Sequence, residues 1–501
     1  MLYFSAARCT PMQTTTRALT GQHVSSRSVD FAPATTLYQE LLVQNPSAAA
    51  RQRARHYLDD QLQAVSSLSA DLPDDPQGLE SWMLENTARV GAQYRDYLAA
   101  RKAGAPRRYF GSKAHALYFL RGVAPTKLVD GAWLYGTLAH WDDLRYRAAI
   151  QIYLEELGDG QPDKNHVVLY RKLLATHGCE DLSALDDEHY VQGAIQLALA
   201  YHAEHYLPEV IGFNLGYEQL PLHLLITAYE LNELGIDPYY FTLHVTVDNA
   251  GSGHARKALQ TVHDALPAEG RAAFYRRVVQ GYLLNELGAS TTSVIASFDL
   301  EQEVIAVLAE KSNVGRYVHS DYCRIGGRSV SDWLGDPAQI PAFLQVMQEQ
   351  GWIKRHEDPS NSRFWRLIQG ERAEMFGVFT AYEQQLIHDW IAGDFVHSGA
   401  KHPAGAERVA VLPRRELSFR ARQRQQERLC PALEAEQGAA ANASHAQASD
   451  FDSEEAALER RLASQPSRAA AMALLVEQLS PARHHSRTGL LATRLFVSLL
   501  G

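Results

Sequence analysis

The stretch Leu207–Ala255, LPEVIGFNLGYEQLPLHLLITAYELNELGIDPYYFTLHVTVDNAGSGHA, carries its apolar residues at the spacing of helices. Gly235-Ile236-Asp237-Pro238 divides it, since glycine ends one helix and proline opens the next. His244 and Asp248 lie four residues apart on the second helix. Four residues turn a helix by ~400° and raise it by ~6 Å, so both side chains share a face and can hold one metal ion. His254 comes ten residues after His244, about 80° off that face in an ideal helix. Two glycines in Asn249–Gly253 leave room for a π-bulge or a break that would bring it back. The same residues also fit a plainer reading, a hydrogen-bonded core pair with a solvated His254.

Working outward, Glu218 sits in GFNLGYEQLP among Phe213, Leu215 and Leu220, where a carboxylate is costly to bury unless paired or metal-bound. Glu209 competes with it, but its place just after Pro208 also suits a first-turn glutamate. Upstream, the apolar helix Ile150–Leu157 stops at Glu155-Glu156-Leu157-Gly158-Asp159-Gly160, and His166 opens the next helix after Asp163 and Asn165. A glutamate at one helix end and a histidine at the next helix start can fold toward each other. The set is then Glu156, His166, Glu218, His244, Asp248 and His254. Three carboxylates and three imidazoles without a thiolate suit redox iron or manganese and argue against structural zinc. Two adjacent ions bridged by carboxylates would use all six, and helix bundles build such sites from inward-facing side chains.

The rest of the chain frames that set. Helical runs extend from Thr36 to about Leu308, so the main domain, residues 36–310, is all-α. Residues 1–35 read as a flexible N-terminal arm, with a transit peptide as the competing reading. Residues 311–398 read as a winged-helix-like accessory domain. Its helices would be Ser329–Leu334 and Gln339–Gln350, and its strands Gly351–His356 and Phe364–Ile368. Residues 399–501 read as a low-complexity linker, a loosely ordered tail and an amphipathic helix over Ser453–Leu479, with six arginines in Arg414–Arg428.

A net charge of −10 and a pI near 6.1 argue against a nucleic-acid binder. No apolar run approaches the ~18 residues of a membrane span. The four cysteines form no CxxC pair, as expected of a reducing, cytoplasmic setting. Nucleotide-loop and hydrolase motifs are absent from the sequence. Trp133, Tyr135, His140 and Trp141 read as bundle packing, with a substrate-lining role as the alternative, and His202 and His205 read as groups outside the ligand set.

The order Glu–loop–His, then Glu, then His-x3-Asp-spacer-His, in EELGDG…NH, LPEVIGFNLGYE and GIDPYYFTLHVTVDNAGSGHA, resembles the haem-oxygenase-like di-iron oxidases, the iron-containing redox enzymes. The resemblance covers roughly Gly131–Ala265. It implies a compact haem-oxygenase-like bundle with two Fe(II) ions and no haem. It also implies dioxygen as co-substrate and N-oxygenation, desaturation or C–C cleavage of a small metabolite such as an amino acid or amine. Glu156 and His166 match the first ligand pair, Glu218 the second-helix glutamate, and His244 and Asp248 the start of the third helix. In many members the last histidine comes seven residues after the first, where this chain has Gly251. Either His254 takes over or the second iron has one ligand fewer; Glu155 stays an alternative to Glu156. The third helix of this family is often mobile until iron binds. Two other readings stand beside it. One is a haem-binding or haem-degrading protein on the same bundle, with His166 or His244 as axial ligand. The other is a non-catalytic interaction protein. No nucleic-acid or membrane partner is expected, and a homodimer is left open.

Overall fold

Capping residues set where many of the helices begin. Ser47, Ser112, Asn165, Asp299 and Ser467 each accept a hydrogen bond from a backbone N–H of the first turn they precede. Thr380 and Glu383 complete a reciprocal capping box at Ala381–Ala392. The computed structural model describes residues 33–247, 253–320, 322–370, 372–395 and 445–500. Over these residues the chain is mostly helical.

The helices bury their apolar faces in two cores. The first takes Ala34–Leu41, Ala48–Val65, the 3₁₀ segment Ala132–His140, Arg147–Glu156, Val191–His202, Leu207–Tyr217, His254–Ala265 and Arg271–Leu283. The second takes Lys113–Gly122, His166–His177, Leu222–Glu233, Tyr239–Val247 and the helices from Thr291 to Ala392. Arg147–Glu156 belongs to one core and His166–His177 to the other, so the loop between them lies where the two meet. Among the described residues, no helix is long and apolar enough to cross a membrane.

The structure corrects the winged-helix reading of residues 311–398. The two expected helices form, as Val330–Leu334 and Ile340–Glu349. The two expected strands do not: Arg363–Ile368 is a short helix and Gly351–His356 is turn. Phe364 and Ile368, both buried, stand four residues apart, which is a helical period. Ser362 ties this helix to the turn, its hydroxyl accepting from Lys354 N. Among the described residues the one strand pair is Arg324–Ile325 with Arg328–Ser329, joined through Gly326 and Gly327. Nor does this segment have a core of its own, since Ile340, Phe343 and Trp390 share the core of Phe119 and Tyr240.

The far C-terminus is also more structured than a loosely ordered tail. The helix expected over Ser453–Leu479 is two helices, His445–Ala463 and Arg468–Gln478, broken where Pro466 and the cap Ser467 stand. With Arg487–Leu500 these helices return to the first core, burying Leu458, Met472, Leu475 and Phe496. Residues 1–32 and Arg414–Arg428 lie outside the described residues.

Candidate metal centre

Four chain segments converge where the two cores meet. Arg147–Glu156 ends on Glu156, and the loop that follows returns to His166, the first residue of the next helix. Asn165 fixes that start, its Oδ1 accepting from Val168 N at 3.0 Å. His244 projects from Tyr239–Val247, and Glu218 is the C-cap of Leu207–Tyr217. His254 is the first residue of His254–Ala265, after Gly253 in extended conformation. The bulge or break expected over Asn249–Gly253 falls mostly on residues 248–252, which lie outside the described residues. The helix start at His254, led in by extended Gly253, sets where His254 points.

The fourth carboxylate is one the sequence reading missed. Asp130 lies in the bend between Ala124–Lys127 and Ala132–His140 and is 1% exposed. Gly131 makes the bend possible: its φ is +79°, and a Cβ there would lie 2.9 Å from Glu156 Cβ. Asp-Gly between apolar residues reads as an ordinary turn, so the available signal was only an aspartate beside a buried tryptophan.

The side chains fall into two groups joined by one residue. Asp130, Glu156, His166 and His244, all buried, bring one donor atom each within 4.8 Å of one another, and so do Glu156, Glu218 and His254. In the first group His166 Nδ1 contacts Glu156 Oε2 and lies 3.6 Å from Asp130 Oδ2, while His244 Nε2 is 3.2 Å from the same Oδ2. In the second, His254 Nδ1 is 3.1 Å from Glu156 Oε1 and 3.2 Å from Glu218 Oε2. Glu156 thus offers Oε2 to one group and Oε1 to the other.

Hydrogen bonds around the groups turn lone pairs inward. His244 Nδ1 lies 2.8 Å from Tyr240 O, and a carbonyl only accepts. With Nδ1–H donated there, the neutral ring turns a bare Nε2 toward a carboxylate oxygen. His254 Nε2 lies 2.9 Å from Glu155 Oε2, which leaves Nδ1 between two carboxylates. Glu156 Oε2 and His166 Nδ1 touch without the alignment of a hydrogen bond. Acceptors facing acceptors at close range need a cation between them, either protons or a metal ion. Asp130 is held from behind, with Tyr217 Oη donating to Oδ1 at 2.9 Å and Tyr240 Oη donating to Oδ2. Lys127 Nζ donates to Tyr217 Oη at 2.8 Å. Outer donors of this kind orient metal-binding carboxylates.

Charges follow the geometry. Burial pushes the Glu156 carboxyl up, but His166 and His254 outweigh it and hold it at about 2. Burial likewise opposes charge on His166, yet Glu156 and Asp130 raise it to about 10. Asp130 is kept well below the usual carboxylate range, against its burial, by Lys127, His166 and His244. Burial and the neighbouring Asp130 raise the Tyr217 and Tyr240 phenols, so both remain donors.

Five of the six sequence-predicted residues meet here; Asp248 lies outside the described residues. Glu209 is elsewhere, in a bidentate pair with Arg277 at 2.6 and 2.7 Å. Glu155 stands at the rim, bound to Lys257 and His254. His202 faces Arg51 O, away from the centre. Trp133 packs the interior, its Nε1 donating to Asn214 Oδ1. His166 and His244 lie with ring centroids 4.4 Å apart and carboxylates at their inner edges.

The donor set fits hard, redox-active ions and lacks thiolate. The comparison with known families agrees. Residues 117–285 match the family described as iron-containing redox enzyme. That segment is about a third of the chain and carries Asp130, Glu156, His166, Glu218, His244 and His254. No curated protein and no solved structure matches the chain.

Proposed function

We propose that the protein is a non-haem di-iron enzyme that uses dioxygen to oxidise a small metabolite such as an amino acid or amine. N-oxygenation, desaturation and C–C cleavage are the reactions in view. The observation that carries the reading is Glu156, a buried carboxylate whose two oxygens serve two separate His/carboxylate groups. Asp130, Glu156, His166 and His244 would hold one ion, and Glu156, Glu218 and His254 the other, with Asp248 a further donor to the second. Iron, when bound, supplies the reducing electrons and open positions that dioxygen needs.

The chain's own residues do the rest. Tyr217 and Tyr240 hold Asp130 in one orientation, and Tyr240 O holds the His244 tautomer. Every group of the centre is at most 4% exposed, so the bundle excludes bulk water from it. Anaerobic titration tests the reading. The wild-type protein is expected to take up two Fe(II), and Glu156→Ala at most one with weakened affinity. Oxygen uptake by the loaded enzyme should then accelerate with one class in a panel of amino acids, amines and fatty acids. Uptake of zinc alone, or of no metal, would overturn it.

A further inference from the structure

The C-terminal segment lies well beyond the family match, yet it closes on the corner that carries Glu156 and His166. Tyr153 Oη, one turn before Glu156, donates to Leu479 O at 2.5 Å. Arg494 Nη1 donates to Gly160 O at 2.7 Å, in the middle of the Glu156–His166 loop. Gly160 has φ +77°, and a Cβ there would meet Leu490 O at 2.3 Å, so only glycine admits this approach. The third contact is His484, 2% exposed, whose Nδ1 lies 3.1 Å from Asn165 Nδ2.

That contact has one consistent polarity. Asn165 Oδ1 accepts from Val168 N, so its amide nitrogen is the donor side, and it gives one proton to Leu157 O at 3.2 Å. The remaining proton points at His484 Nδ1, which must accept it. Asn165 is thereby tied at three points: to the helix that begins with His166, to the residue after Glu156, and to His484. With the His484 bond gone, the amide keeps a buried donor unmatched while its other two bonds remain, and the helix start that aims His166 loosens.

We propose that His484 is a positioning residue of the metal centre, acting through Asn165 to hold His166 against Glu156, and that the C-terminal segment is part of the centre for this reason. The inference rests on the di-metal reading given above. It assigns His484 no contact with the metal and no part in the chemistry. Its effect should fall on the group containing His166, and far less on the Glu218–His254 group.

Co(II) tests this in the full-length protein, because its visible absorption reports both stoichiometry and coordination. Wild type is expected to bind two equivalents. His484→Leu, which fills the space but accepts nothing, should bind one of the two about 10- to 100-fold more weakly and alter its absorption envelope. His484→Asn places an amide oxygen where Nδ1 was and should restore the affinity to within about threefold of wild type. A merely structural residue would lower the melting temperature and leave the cobalt affinity of the folded protein unmoved. Wild-type binding of both ions by a folded His484→Leu would overturn the proposal and leave the metal reading intact, as would equal weakness of the Leu and Asn variants. Absence of cobalt binding by wild type would overturn the metal reading itself. Should His484→Leu not fold, Arg494→Met cuts the same clamp at its outer edge. It should weaken one equivalent about three- to tenfold; unchanged binding would overturn the proposal.

Discussion

Metal binding to this centre should depend steeply on pH, because the metal-free protein keeps a proton where the metal must go. His166 is raised to about 10 by Glu156 and Asp130, against its burial. A ligating imidazole is neutral, so the metal has to expel that proton. At pH 7 the expulsion costs on the order of 4 kcal/mol, from about three pH units at ~1.4 kcal/mol each. Between pH 6 and pH 8 the proton stays bound throughout in the metal-free state, and the apparent affinity should therefore rise about 100-fold. An imidazole with the ordinary value near 6.5 would give only about a fourfold rise over the same range. The assay is anaerobic Fe(II) competition against a chelator of known pH dependence, with calorimetry in buffers of different ionisation enthalpy to count the released protons. Release of about one proton per centre from this group is expected. An affinity that changes less than about fivefold would refute the argument, since it would mean that His166 is already neutral in the metal-free protein.

The same linkage predicts the stability of the metal-free protein. A histidine raised on folding contributes stability that is complete below its unfolded value near 6.5 and is lost as pH climbs through about 10; a depressed carboxylate such as Glu156 contributes above about 4.5 and is lost as pH falls through about 2. Melting temperature of the apo protein should thus decline from pH 7 to pH 10, and metal loading should remove the decline. Gly131→Ala forces a Cβ against Glu156 at a left-handed backbone position; it should cost about 1–3 kcal/mol in denaturant unfolding and weaken both metal equivalents together, because Glu156 serves both. Tyr240→Phe removes a donor to Asp130 Oδ2 while Tyr217 still holds Oδ1, so a roughly tenfold loss of affinity for one equivalent is expected by titration with the fold intact. Glu218→Gln should lose the second equivalent, whereas Glu209→Gln, which breaks only a pair with the half-exposed Arg277, should retain both. Loss of a metal in the Glu209 variant would exchange the two assignments.

What was legible in the sequence depended on how close in the chain the partners stand. Glu156 and His166 are joined by a short loop whose glycines and capping Asn165 mark one helix end and one helix start, so their approach could be read locally. His254 was legible as a problem: its phase was wrong for one ideal helix, and in the structure it is the first residue of a helix of its own, His254–Ala265. Asp130 was not legible, because it sits on no helix face and contributes to no periodicity. Its role comes from the bend at Gly131 and from two tyrosines 87 and 110 residues away.

The strands expected over Gly351–His356 and Phe364–Ile368 show the opposite error. Short apolar runs around a polar turn fit either period, and there the helical contact of Phe364 with the core decided. The return of the C-terminal helices to the Glu156 corner joins Asn165 to His484, 319 residues apart, through a single amide proton. Nothing local in RHHSRTG distinguishes a buried acceptor histidine from a solvated one. The distinction comes from Asn165, whose other two bonds are already committed to the loop it caps, so that its last proton needs an acceptor from elsewhere in the chain. The demand is written at the loop that joins Glu156 to His166, and the chain meets it from its far end.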